Sequence, residues 1–223
     1  MSFQFEPKVM METLPLLVDG AELTIFITVV GLLFGFGLGA AFGLMKLSRH
    51  SYLRLLAGLY VETIRGTPLI VQVMFLYFGL PLALGIRVPS LVAGIIAIAI
   101  NSGAYIAEIV RGAVQSIDKG QTEAGRSIGL NMWQTMVYII WPQAFRRMIP
   151  PLGNQFIISL KDTSLLVVIG VAELTRVGQE IIAVNFRAFE VWLTVGLTYL
   201  AMTMTIAWVL RKIERRGGAS GRL

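Results

Sequence analysis

Residues 123–142, EAGRSIGLNMWQTMVYIIWP, form a polar island between long apolar segments. The island reads as two short helices meeting at a sharp turn. Asp118 with Gln121 matches a capping box, and Asn131 with Gln134 matches a second, so two helix starts fall close together. Gly129 stands where the first helix must stop, because a residue without a Cβ turns left-handed at little cost. Pro142 breaks or kinks the second helix, since it has no amide proton and its ring crowds the preceding turn. A compact helix–turn–helix exposed on one side of a membrane is suited to passing on a push from a partner.

The chain around the island is apolar. Of 223 residues, 56% are hydrophobic and 14% charged, whereas soluble domains carry about 25% charged residues. The fold class expected is therefore all-α, an integral membrane helical bundle in a single domain. With no cysteine there is neither a disulfide framework nor a thiolate metal site. The single histidine, His50, lies in a basic loop and reads as solvated. A net charge of +6 would suit nucleic acid in a soluble protein. Here the basic residues are unevenly placed along the chain, so topology explains them and no nucleic-acid partner is expected. Glu6, Lys8, Glu12, Asp19 and Glu22 precede a first apolar run too long for a signal core, so no cleaved leader is expected.

Five spans are expected, at 23–45, 57–84, 88–112, 148–172 and 191–210, with a coupling loop at 116–142. Residues 1–22 read as a short surface helix, and Asp19 with Glu22 as a capping box for the first span. Along that span Gly31, Gly35, Gly39 and Gly43 recur every fourth residue, a smooth stripe against which another helix can pack closely. The second span is interrupted by Glu62, Arg65, Gly66 and Pro68. Pro68 cannot donate to the carbonyl of Ile64, which makes it a candidate hinge or gate alongside Pro142. Glu62 and Arg65, three apart, can pair. Asn101, Tyr105 and Glu108 share one face of the third span and should look into the bundle. Residues 173–190 read as an amphipathic surface segment.

Lysine and arginine set the expected orientation. Lys46, Arg49 and Arg54, five basic residues between 111 and 150, and five more in the tail from Arg211 to Leu223 fall on one face if there are five crossings. Lys8, Arg87, Arg176 and Arg187 fall on the other. The basic face is the cytoplasmic one, which places the coupling loop and C-terminus inside and the N-terminus outside.

No G-x-x-x-x-G-K-[ST] loop is present to hold nucleotide phosphates, and no spacing of acidic residues and histidine suggests a metal site. Catalysis by this chain alone is not expected. The chemistry instead centres on Lys161 and Asp162. Counted from Pro151 at about 1.5 Å per residue they lie roughly 15 Å deep. There each charge costs about 2.5–3.5 kcal/mol if uncompensated. Two readings stand. Lys161 and Asp162 receive the carboxylate and ammonium of a zwitterionic amino acid, or they only fix helix packing. Asn154 shares the face of Lys161. Asn101 and Gln72 are further candidates to hydrogen-bond a substrate at that depth. An ion-driven secondary transporter or channel is the alternative, although no internal repeat supports it.

The island also resembles the "EAA loop" of ATP-binding cassette importer permeases, which runs Glu-Ala-Ala, three residues, Gly, nine residues, Ile, one residue, Leu-Pro. Glu123, Ala124, Gly129, Ile139 and Pro142 match it, while Gly125 replaces the second Ala and Trp141 the Leu. Residues 62–72 (ETIRGTPLIVQ), 101–112 (NSGAYIAEIVRG) and 150–179 (PPLGNQFIISLKDTSLLVVIGVAELTRVGQ) extend the likeness over nearly the whole chain. Together they resemble the polar amino-acid uptake permeases of this class, the glutamine-carrying members above all. The resemblance implies a five-span subunit paired with a second copy or a sister permease in the bacterial inner membrane. It implies ATPase subunits, carrying the ATP and Mg, docked on Glu123, Ala124, Gly125 and Gly129. It also implies a periplasmic or lipid-anchored binding protein that delivers the substrate.

Overall fold

The computed structural model describes the backbone of residues 5–216 and the side chains of residues 5–212. Among the described residues the regular structure is helical throughout. Helix α1, Pro7–Lys46, opens with proline at its first position, where a missing amide proton is no loss. It absorbs both the expected surface helix and the first span. Asp19 and Glu22 lie inside it rather than at its start, because no residue between them forces a break. Gly20, which lies between them, is held by the close approach of Leu174, whose Cα would lie 2.9 Å from a Cβ there.

Helix α2, Ser51–Arg65, and helix α3, Leu69–Leu84, are the two halves of the interrupted second span. The interruption at Pro68 is a full break with a bend of 103°, sharper than a weakened helix. Pro68 itself is extended, with φ −63° and ψ 138°. Helix α4, Ser90–Gln115, follows a left-handed turn at Gly85, φ 66°. Helix α5, Lys119–Ser127, is the first arm of the island. Helix α6 runs from Met132 to Ile169, so the second arm of the island and the fourth span are one continuous element. Helix α7, Leu174–Asn185, and helix α8, Ala188–Arg216, complete the chain. Residues 217–223 of the expected basic tail lie outside the described residues.

Two prolines are accommodated by the same device. Leu80 N–H bonds to the carbonyl of Phe75 and Trp141 N–H to that of Met136, five residues back in each case. These π turns sit just ahead of Pro81 and Pro142, where a widened turn makes room for the ring. Helix α6 therefore passes Pro142 without breaking.

The bundle is organised around α1 and α4. The glycine stripe meets α4 rung by rung: a Cβ would lie 2.6 Å from Ile98 at Gly31, 2.5 Å from Ile106 at Gly39 and 2.7 Å from Val110 at Gly43, with Ser102 opposite Gly35. Both series ascend together, so the two helices run in the same direction, as first and third spans must. Backbone contact of this kind supplies dispersion and weak polar attraction where lipid gives no hydrophobic drive to associate. Leu33, Phe34, Leu55 and Leu59 are exposed instead, as befits a surface solvated by acyl chains. Leu166, Ile169, Val73 and Ala97 form one buried cluster. A second cluster joins Val110, Val114 and Ile117 to Ile140, Ala144 and Met148. Leu17, Leu174, Val191 and Val195 form a third.

Candidate functional site

The island folds as a rigid corner. Asn131 and Gln134 make both bonds of the capping box at 2.9 Å. Asp118 caps α5 differently, accepting from Gly120 N–H at 2.7 Å, while Gln121 accepts from Gln143 of α6 at 3.1 Å. Gly129 has φ 90°. Its N–H bonds to Arg126 O and that of Leu130 to Gly125 O, both at 3.1 Å, the paired closure of a left-handed helix end. Gly125 is buried, and a Cβ there would lie 2.8 Å from both Thr135 and Ile139. Thus Gly125 faces the corner's own second arm, while Glu123, Ala124 and Gly129 are exposed. Ile128 at 76% exposure and Trp133 at 75% add an apolar surface beside them. Arg147 of α6 donates to the carbonyl and hydroxyl of Ser116, at 2.5 and 3.0 Å. With the buried cluster of Val114, Ile117, Ile140 and Ala144, this fastens the corner to the ends of α4 and α6.

Lys161 and Asp162 stand where α6 tightens from α-helical to 3-10 geometry, over Thr163–Ile169. The tight turn ends at Gly170, φ 75°. Lys161 is exposed and Asp162 half-buried. Neither makes a hydrogen bond or ion pair through its side chain with any described residue. Asn154 is exposed as well. The 3-10 turn packs through Leu166 and Ile169 against Val73 of α3, which brings the neighbourhood of Gln72 to this level.

Gln72 and Asn101 are joined: the Asn101 amide donates to Gln72 Oε1 at 3.1 Å. Gln72 Nε2 in turn donates to the carbonyls of Ile64 and Thr67, at 2.7 and 3.1 Å, and to the Thr67 hydroxyl at 3.0 Å. Glu62 and Arg65 do not pair with each other. Glu62 is 3.7 Å from Lys46 of α1, and Arg65 lies over the Tyr105 ring of α4 at 5.2 Å. Lys46 also bonds to Glu108 at 2.6 Å, and Glu108 to Arg111 at 2.6 Å. These charges offset one another at the basic ends of α1, α2 and α4.

One set of polar residues escaped the sequence reading. Glu173, fully buried, caps α7 by accepting from the N–H groups of Thr175 and Arg176 at 3.0 and 2.9 Å, and from the Tyr199 hydroxyl at 2.9 Å. Burial pushes its carboxyl up, against those hydrogen bonds, which pull it down. Thr24 of α1 accepts from Leu174 N–H at 3.2 Å, fixing the same helix start. At the α7–α8 corner, Arg187 pairs with Glu6, and Glu6 N–H donates to the buried Glu190 at 3.1 Å. Glutamate is an uncommon helix cap, and Tyr199 and Thr24, which complete the cluster, are distant in sequence, so local pattern does not mark it.

The model of the family described as "Binding-protein-dependent transport system inner membrane component" matches residues 15–217. The chain is 52% identical to the "Glutamine transport system permease protein GlnP" of Escherichia coli (strain K12), over 96% of this chain and 98% of that protein. It is 32% identical to the "Arginine transport system permease protein ArtQ" of Bacillus subtilis (strain 168), over 91% and 93%. A solved "amino acid ABC transporter with histidines" superposes with a TM-score of 0.91 at 39% identity, covering 96% of this chain and 100% of that one. The MetNI methionine transporter, 21% identical with a TM-score of 0.79, shares the fold. This helical architecture goes with these matches, and the chain belongs to the family of inner-membrane components of binding-protein-dependent transport systems.

Proposed function

We propose that this chain is the membrane-spanning subunit of an ATP-driven importer that carries a polar amino acid, glutamine or a close relative, by alternating access. One observation carries the reading. The helix that begins in the exposed island at Met132 continues unbroken to Lys161 and Asp162, roughly 45 Å away at 1.5 Å per residue. A displacement of the island is thereby delivered to these two charged residues. The exposed face of Glu123, Ala124 and Gly129, with Ile128 and Trp133, takes the ATPase subunit, which carries the ATP and Mg. Gly125 shapes that face from behind.

Lys161 receives the substrate carboxylate and Asp162 the ammonium. The family's general design supplies a substrate-binding protein on the far side and a second permease, identical or sister. Closure of the ATPase pair moves the islands together and tilts the spans about the Pro68 break and the Pro142 π turn. The island and C-terminus face the cytoplasm and the N-terminus faces outward, in line with the placement of basic residues.

The site is tested by uptake of L-glutamine into proteoliposomes holding the assembled transporter. Each charge-assisted hydrogen bond contributes about 1.5–3 kcal/mol, so Lys161→Met and Asp162→Asn should each raise the KM roughly tenfold or more. Unchanged KM in both variants returns the pair to a packing role. Uptake by the purified chain alone, with no ATPase present, would favour the ion-driven alternative.

A further inference from the structure

Gln72 has every polar atom of its side chain engaged within the protein. We propose that it is a positioning residue, a two-ended clamp that sets the bend of the second span and through it the movement of α2. The need for a clamp arises at Pro68. In an unbroken helix the amide of residue 68 would donate to the carbonyl of Ile64, and proline has none to give. The side-chain amide of Gln72 supplies that donor at 2.7 Å and reaches Thr67 on the connecting turn as well. Its other end, Oε1, accepts from Asn101, which is buried on α4. The clamp therefore joins three bodies: the end of α2, the start of α3 and the rigid α4.

The surroundings support positioning over ligand binding. The crook of the bend is a cleft of about 390 Å³ whose walls include Thr63, Ile64, Val71, Phe75 and Ile100. None of its lining residues is charged, so a zwitterion placed there would meet no counter-charge. What the cleft does provide is free volume into which the two halves of the span can fold or straighten. Without the clamp the Ile64 carbonyl keeps only the long contact from the Thr67 hydroxyl at 3.4 Å, so losing the clamp should loosen the corner instead of leaving it at the same angle.

This inference rests on the transport reading only for its consequence for turnover. Its structural part is read by amide hydrogen exchange on the assembled transporter in lipid nanodiscs, which requires no transport. Gln72→Leu removes both ends. Gln72→Glu keeps the shape and the acceptor but removes the donor. Asn101→Leu removes the far anchor. Exchange of the 64–74 segment should rise about fivefold in all three, the effect of one lost hydrogen bond of about 1 kcal/mol, with α1 unchanged. In proteoliposomes the KM for L-glutamine should hold while the maximal rate falls. Wild-type exchange in both Gln72 variants overturns the proposal. A raised KM with wild-type exchange identifies Gln72 as a substrate ligand and also overturns it. If either Gln72 variant fails to insert, Asn101→Leu decides alone by the same two readouts.

Discussion

Gly129 shows what one residue can determine. At φ 90° it lies beyond the region that Asn or Asp visit readily, and any side chain there costs about 1–3 kcal/mol of backbone strain. Gly129→Asp should leave membrane insertion intact and abolish substrate-stimulated ATP hydrolysis by the assembled transporter, because the corner can no longer present its face. An ATPase assay with and without L-glutamine and binding protein checks this, and retained stimulation would count against the coupling role. Capping is a local interaction, so the Asn131–Gln134 box was legible in the sequence and the structure forms it. The Asp118–Gln121 pairing was equally legible but did not form, because Gln143 from the next helix engages Gln121. Gly125, which departs from the resembling pattern, is explained only by packing: Thr135 and Ile139 occupy the space of its Cβ.

At the scale of elements, the glycine stripe of α1 was readable as a contact surface, but not which helix it would meet. The structure pairs it with α4. Gly39→Val should therefore destabilise the chain by about 1–3 kcal/mol, the usual effect of overpacking. Gly37→Ala, with nothing within 4 Å of its Cβ, should leave stability unchanged. Thermal unfolding in detergent separates the two, and equal melting temperatures would argue against a close α1–α4 seam. The same scale corrects two boundaries. The expected surface helix and first span fuse into one element, since Gly20 is supported by Leu174. Pro68 breaks its span outright and Pro142 does not, although both lack the same proton. A π turn absorbs Pro142 within α6, whereas Gly66 and the clamp at Gln72 let the chain turn fully at Pro68.

For the whole molecule, the placement of basic residues and the number of spans point to one orientation, and the absence of cysteine makes it directly testable. In right-side-out vesicles a membrane-impermeant maleimide should label Arg87→Cys and spare Ser51→Cys until the membrane is opened. The reverse pattern would invert the topology. The sequence by itself determined the helical membrane class, the island with its glycine stop and capped second arm, and the rarity of charge at mid-span. Each of these follows from composition or from interactions within a few residues. Only the tertiary structure decided that the island's second arm and the fourth span are one helix, that Gln72 and Asn101 hold each other, and that Glu173 caps α7 against Tyr199 and its neighbours. Those outcomes join residues far apart in the chain, and the partner of a buried polar group is settled by which helices pack together, which no local pattern encodes.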